Sequence, residues 1–253
     1  MYDKLWRHVN INDKPLAEKL SVELKVGKII DRSKAGHILL QILAKEEVLK
    51  IIILINGHFR TPKMEALHRA IIWINEHDNS TIPCLGLDSS PLDSNSWLAG
   101  FSDASKSSGG FYLIKQNAKR SVRFIPQFKL EVNLVFHNNE NGELMSRAYF
   151  SIFSKISEFC KTSLVSRIEH SKSLRLSIKI LVHNLVNINI ITAYFTKFPL
   201  LGKRGVDFFY WKESILKVEK KEYKGLSEIK PYNKWSDINY SDSFLNLKFF
   251  HYL

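Results

Sequence analysis

The sequence predicts an α+β fold built on antiparallel sheets, and three observations lead to it. The order helix, strand, strand, helix occurs twice along the chain. The strands alternate apolar and polar residues with period two, the pattern of a sheet with one covered face and one wet face. At 45% hydrophobic, 253 residues suffice for a full core in one large domain or two small ones.

"WRHVNI" near the N-terminus is read as a strand remnant ahead of "PLAEKLSVEL". That next segment is a helix: Pro15 suits a first helical turn, where its missing N–H costs nothing, and Gly27 ends it. "GKIIDRS" and "GHILLQILA" follow as two strands with a turn at "SKAG". "KEEVLKIIILING" is a second helix stopped at Gly57. "TPKMEALHRAIIWINEH" is a third, with Thr61 as its cap, Pro62 in the first turn, and an apolar face marked by Ala66, Ala70, Trp73 and Ile74.

"DNSTIPCLGLDSSPLDSNS" carries the Ser, Pro, Asp and Asn content of a linker. A helix starts near Ser96, then come strands at "GGFYLIKQ" and "QFKLEVNLVF" and a turn at "NNENGE". "MSRAYFSIFSKISEFC" is a helix, "SLVSRIE" and "SLRLSIKILV" form a hairpin, and "NLVNINIITAYFTKF" and "VDFFYWKESILKVEKKEY" are helices. "KLSVELKVGKIIDR" and "KISEFCKTSLVSR" open the two copies alike, and "LINGHFRTPK" and "AYFTKFPLLGK" close them in similar places. Internal duplication is the expectation.

In "QFKLEVNLVF", Phe128, Leu130, Val132, Leu134 and Phe136 share one face, while Gln127, Lys129, Glu131 and Asn133 share the other. In "SLRLSIKILV", Leu174, Leu176, Ile178, Ile180 and Val182 oppose Arg175, Ser177 and Lys179; Arg167 joins the polar set from the preceding strand. Lys28, Arg32, His37 and Gln41 do the same in the first copy. Such side chains hydrogen-bond base edges and phosphates, and a two-stranded ribbon fits a major groove. Polar alternation is also what any sheet with one wet face shows. Charge favours the nucleic-acid reading: 37 Lys+Arg against 25 Asp+Glu give +12. A basic loop "KQNAKRSVR", with Lys115, Lys119, Arg120 and Arg123, adds to it.

Two cysteines, Cys84 and Cys160, are too few and too far apart for a disulfide framework or a zinc site, which favours a reducing compartment. "VLKIIILI" is short and broken by Lys50, so no membrane span is expected. The first residues, with their acids and no apolar core, read as neither a secretion signal nor a good transit peptide. Abundant Ile, Lys, Asn, Ser and Phe match A+T-rich codons of an organellar genome. Neither a Ser-His-Asp order, nor a Gly-rich phosphate loop, nor an HExxH occurs. His8, His37, His58, His68, His77, His137, His170, His183 and His251 are scattered, as solvated or capping histidines are.

At "DSNSWLAGFSDAS" the chain resembles the LAGLIDADG homing endonucleases, above all the intron-encoded proteins of fungal mitochondria. Leu98, Ala99, Gly100, Phe101, Ser102, Asp103 and Ala104 match the first seven motif positions. "NDKPLAEKL", "RSKAGHILLQI", "LINGHFRTPKMEALHRAIIWIN" and "YFTKFPLLGKRGVDFFYW" extend the likeness over roughly residues 10 to 230. The resemblance implies αββαββα half-domains, used twice, whose sheets form a saddle over duplex DNA. Two motif helices pack together with small residues, here Ala99 and Gly100, at a contact that also takes in Leu98 and Phe101, and each delivers an acid at motif position eight to divalent metals. It also implies a mitochondrial matrix protein encoded in the organelle.

Two departures from the family pattern matter. Position eight is Ser105, followed by Lys106, and a hydroxyl is a poor ligand for hard cations. Asp103, at position six, and Lys179, a stand-in for the basic residue near a scissile phosphate, are weak catalytic candidates. The first half also lacks a motif helix and its first hairpin. The expected division is a truncated half-domain over residues 1–78, a linker at 79–95, a second half-domain at 96–224, and a divergent tail at 225–253. The expectation is a nucleic-acid binder, of double-stranded DNA or structured intron or ribosomal RNA, with cleavage lost and a maturase-like role. It needs no cofactor and no metal; Mg²⁺ enters only under the rival reading of an active site-specific endonuclease. A third reading is a structural part of a mitochondrial ribonucleoprotein. A second polypeptide or copy is a candidate supplier of the missing motif helix.

Overall fold

Helix–strand–strand–helix–helix is the order found twice. The computed structural model describes residues 5–10, 13–104, 109–118, 121–133, 148–170 and 174–227. The first series is β1 (Leu5–Asn10), α1 (Lys14–Leu24), β2 (Lys28–Arg32), β3 (His37–Ile42), α2 (Lys45–Ile55) and α3 (Met64–Asp78). Then come α4 (Trp97–Ala104), β4 (Gly110–Ala118) and β5 (Ser121–Asn133). The second series continues with α5 (Ala148–Phe159), β6 (Leu164–His170), β7 (Leu174–Val182), α6 (Leu185–Lys197) and α7 (Lys203–Glu219).

The sheets repeat as well. The first has the order β1-β3-β2, and the second has β4-β5-β7-β6, so β5-β7-β6 reproduces the first arrangement. "WRHVNI" is thus a strand, matched to β5. The two leading helices stop by the same device. Lys25 and Lys161 both adopt left-handed backbone, at φ 50 in each case. Behind them, the Val26 N–H donates to Ser21 O at 3.1 Å and the Thr162 N–H to Ser157 O at 2.9 Å. Lys25 and Lys161 occupy the same place in the two similar stretches, so the likeness of sequence carries a likeness of helix termination. Gly27 then turns the chain into β2 at φ +69, where a Cβ would stand 2.8 Å from Gln41 O.

Two compact units are present, Met1–Trp97 with Glu131–Ile180, and Leu98–Leu130 with Leu181–Leu253. In the first, Val26, Ile42, Val48, Ile52, Leu67, Ile71 and Ile74 form one buried cluster. The buried stripe of α3 is therefore Leu67, Ile71 and Ile74, whereas Ala66 and Ala70 are exposed and Trp73 is half-buried. The longer branched side chains claim the core because they remove more apolar area from water. Thr61 also differs from expectation: α3 starts at Met64 without a side-chain cap, and Thr61 contributes only its carbonyl, to the Met64 N–H at 3.1 Å.

In the second unit the core is aromatic. Phe111 lies 5.3 Å from Phe128, 5.5 Å from Phe195, 5.3 Å from Phe208 and 5.0 Å from Trp211, centroid to centroid. Tilted and edge-on pairs of this kind add about 0.5–1.5 kcal/mol each beyond their buried area. Trp211 also donates its indole N–H to Tyr112 O at 2.8 Å, which fixes α7 against β4.

Candidate nucleic-acid interface and motif helix

Register decides which side chains share a face. In the first sheet Gln41 stands opposite both Trp6 and Lys28, and His37 opposite both Asn10 and Arg32. Lys28, Arg32, His37 and Gln41 therefore lie on one face, as their alternation predicts. Lys28 and Arg32 are exposed and His37 is half-buried, but Gln41 is only 6% exposed. β3 is the central strand, flanked on both sides, so Gln41 sits deep where a base-reading amide needs access.

In the second sheet Lys129 pairs with Gly110, Gln127 with Tyr112 and Arg123 with Gln116, so Arg123, Gln127, Lys129, Glu131 and Asn133 share a face. Arg167 pairs with Ser177, Val165 with Lys179 and Glu169 with Arg175. Ser177 Oγ donates to Glu131 Oε1 at 2.7 Å, which puts the polar rows of β5 and β7 on the same side. Arg123, Asn133 and Arg167 are exposed, and Gln127, Lys129 and Lys179 are half-buried. Arg175 holds its register place on the backbone; its side chain lies outside the described residues. Beneath the opposite face Phe111, Leu113, Phe124, Phe128 and Leu130 are buried.

One expectation about this face is corrected. The basic loop is not a loop at either flank: β4 runs to Ala118 and β5 starts at Ser121, so Lys115 and Arg123 are strand residues. Lys115 pairs with Phe124, whereas Arg123 pairs with Gln116, one step along, so the two basic side chains point to opposite faces. Lys119 and Arg120 lie outside the described residues.

The segment before α4 is strapped down along its length. Asn56 donates to Pro83 O at 2.7 Å and accepts from the Leu85 N–H at 3.2 Å. Asn75 does the same around Ile82, at 2.9 and 3.0 Å. His68 Nε2 donates to Leu85 O at 2.8 Å. Arg60, 4% exposed, holds the far end: Nε donates to Asp88 Oδ2 at 3.0 Å, Nη1 to Ser90 O at 2.6 Å and Nη2 to Ser90 Oγ at 2.7 Å. Its guanidinium also lies 5.7 Å from the Trp97 ring centroid. Burial raises the pKa of Asp88, but Ser90, Arg60 and Asn95 outweigh it and hold the carboxyl below its ordinary value. Asn95 Oδ1 then accepts the Trp97 N–H at 3.1 Å and opens α4. Asn56, Asn75, Arg60 and Asn95 were not singled out in the sequence, where Asn56 and Arg60 are single polar residues far from their partners.

On α4, Leu98 and Ala99 are buried and the Leu98 N–H donates to the Tyr194 hydroxyl at 3.1 Å. Phe101 is half-buried. Gly100 is exposed, and a Cβ there would meet nothing within 4 Å among the described residues. Asp103 has a structural duty: its Oδ2 accepts the Leu201 N–H at 2.7 Å and the Gly202 N–H at 3.1 Å, just before α7. Nearby Arg204 feels burial, which disfavours its charge, opposed by Asp103, Asp207 and Tyr112. Burial raises the pKa of Asp207, opposed by Lys203 and Arg204. Ser105 lies outside the described residues. At the described end of α4 one carboxylate oxygen, Asp103 Oδ2, is thus committed to two backbone N–H groups.

A family model, "LAGLIDADG endonuclease", matches residues 98–215, from the motif helix to the aromatic core of α7. The intron-encoded DNA endonuclease aI3 of Saccharomyces cerevisiae is 31% identical over 229 residues, 81% of this chain and 54% of the relative. The chain belongs to the LAGLIDADG endonuclease family. It spans about half the length of that yeast relative. Solved LAGLIDADG structures share the fold. I-GzeII in complex with its DNA target has a TM-score of 0.62 at 14% identity, covering 87% of this chain and 82% of that one. I-CpaMI bound to uncleaved DNA gives 0.60 at 15% identity, with 88% and 83% covered. I-SmaMI bound to uncleaveable DNA gives 0.58 at 15%, with 88% and 82% covered. Within LAGLIDADG terms, α4 is the motif helix and the two sheets are those whose register was derived above.

Proposed function

We propose that this LAGLIDADG chain binds nucleic acid on the polar faces of its sheets and does not cut it. The observation that carries the reading is the shared face of Arg123, Gln127, Lys129, Arg167 and Lys179, backed by a packed core. A covered face fixes the backbone, so the polar row is presented at strand spacing to a groove or a phosphate line. The solved relatives that share the fold are held on DNA, which supports duplex DNA as a ligand. Serine at motif position eight supports loss of cleavage, because two-metal strand scission needs carboxylates to hold its ions. The proposal requires no cofactor.

A maturase-like role on the host intron needs binding without a metal site, and the intron-encoded yeast relative supports that origin and a mitochondrial setting. Residues 1–78 and 96–224 are then two half-domains, with 79–95 between them in sequence. Charge removal tests the interface. Lys129→Ala, Arg175→Ala and Lys179→Ala together are expected to reduce the slope of log affinity against log salt by roughly three on duplex DNA, about 0.9 per phosphate contact. An unchanged slope places the interface elsewhere.

A further inference from the structure

We propose that the β4–β5 hairpin reads the methyl group of thymine through Ile114 and Ile125, so that the duplex this chain prefers carries a thymine at a fixed distance from a guanine. The inference rests on the sheet-face reading above and adds which bases that face selects. Ile114 pairs with Ile125. Period-two alternation puts both on the face of Arg123 and Gln127, whose partners are Gln116 and Tyr112. Both isoleucines are half-buried. The opposite face is the apolar one. Phe111, Leu113, Phe124 and Phe128 are buried there. Val218 of α7 clusters with Leu113 and Phe124, and Phe111 lies 5.0 Å from Trp211. The isoleucine pair is therefore an apolar step on the wet side of a ribbon whose core is supplied by α7 from the other side.

Two β-branched residues directly opposite each other stabilise a hairpin by their mutual contact. That contact accounts for their pairing, but it leaves part of both side chains uncovered between two polar pairs. In the major groove, the C5-methyl of thymine is the apolar feature of the base edges, and apolar side chains are what meet it. A two-stranded ribbon is narrow enough to reach it. From Arg123 to Lys129 this face of β5 carries two cations and no acid, which suits a polyanion. Arg123 is exposed, one pair nearer the β4–β5 connection, and carries the fork that meets guanine O6 and N7. Arg123 to Ile125 is two residues of strand, about 6.6 Å, and two base pairs rise about 6.8 Å. The match places the thymine two base pairs from the guanine.

The test enriches duplexes from a randomised DNA library on the full chain. Each thymine of the enriched duplex is then replaced by uracil, which deletes the methyl and keeps the base pair. One thymine, two base pairs from a guanine, is expected to lose roughly fourfold in affinity on that replacement, the worth of one apolar carbon. In Ile114→Ser with Ile125→Ser, the thymine and uracil duplexes are expected to bind alike. 7-Deazaguanine at the neighbouring guanine, which lacks the N7 acceptor, is expected to weaken both the wild type and that variant, showing that the variant still docks. A duplex with no uracil-sensitive thymine overturns the proposal. So does a sensitive thymine whose effect survives in the double variant, or one at another spacing from guanine. Salt-dependent binding with no enriched sequence overturns the base reading and leaves the sheet face standing, whereas no binding of any duplex overturns both.

Discussion

Replacing Arg60 by Met removes the fork that holds the strap while keeping an apolar stem of similar length. In the wild type the guanidinium reaches Asp88 at 2.7 and 3.0 Å and Ser90 at 2.6 and 2.7 Å, with the Arg60 and Asp88 side chains 2% and 12% exposed. Removing one partner of a buried pair costs about 3–5 kcal/mol, since the other charge is left behind. Asp88 keeps the Ser90 N–H at 2.8 Å and Asn95 at 3.2 Å, which places the loss near the lower end, about 3 kcal/mol. For a chain of this size that is a fall in Tm of roughly 6–12 °C. Urea denaturation of Arg60→Met, Asp88→Asn and the double variant measures it. The singles are expected to be non-additive, the double losing little more than Arg60→Met alone. The sign of the pH dependence follows from the depressed Asp88 pKa: the stabilisation is complete above the ordinary value of 3.8 and is lost as pH falls through the folded value. A loss below about 1 kcal/mol, the size of an exposed ion pair, refutes the buried-fork account.

Two further predictions concern single groups. Asp31 accepts bonds from the Ser33 hydroxyl, the Ser33 N–H and Lys14, which hold its carboxyl down at about 2. Its share of stability is therefore present above 3.8 and lost as pH falls towards 2; a carboxyl NMR titration reads it, and Ser33→Ala moves the midpoint up. An unmoved midpoint contradicts the assigned cause. Of the two cysteines, Cys84 is exposed and Cys160 buried, and burial pushes the Cys160 thiol up to about 12. Only roughly one Cys160 in ten thousand is then thiolate at pH 8. An aromatic disulfide reagent is expected to titrate one thiol per native chain and the second only in denaturant; two rapid thiols refute the burial.

What the sequence revealed divides along local and distant causes. Every described strand and helix was legible at least in part, because period-two alternation acts within a few residues, although α1 stops at Lys25 rather than at Gly27. The polar faces followed from the same alternation. What escaped was set by partners far along the chain. Asp103 looks like an ordinary motif acid until the backbone near Leu201 arrives to use it. The strap reads as a linker because Asn56 and Arg60 each meet it from a distant part of the chain. Gln41 is wet by pattern and buried by its place in a central strand, which alternation does not encode. Lys115 and Arg123 appeared as one basic loop because the tightness of the hairpin, and hence the face of each, is a matter of register.

The most direct measurement is incubation of the purified chain with Mg²⁺ and duplex DNA carrying the intron-insertion junction, followed on native and denaturing gels together. A retarded complex whose DNA is full-length on the denaturing gel is the predicted result. A discrete double-strand break that disappears with a chelator contradicts the account, since it requires a metal site that serine at position eight does not supply.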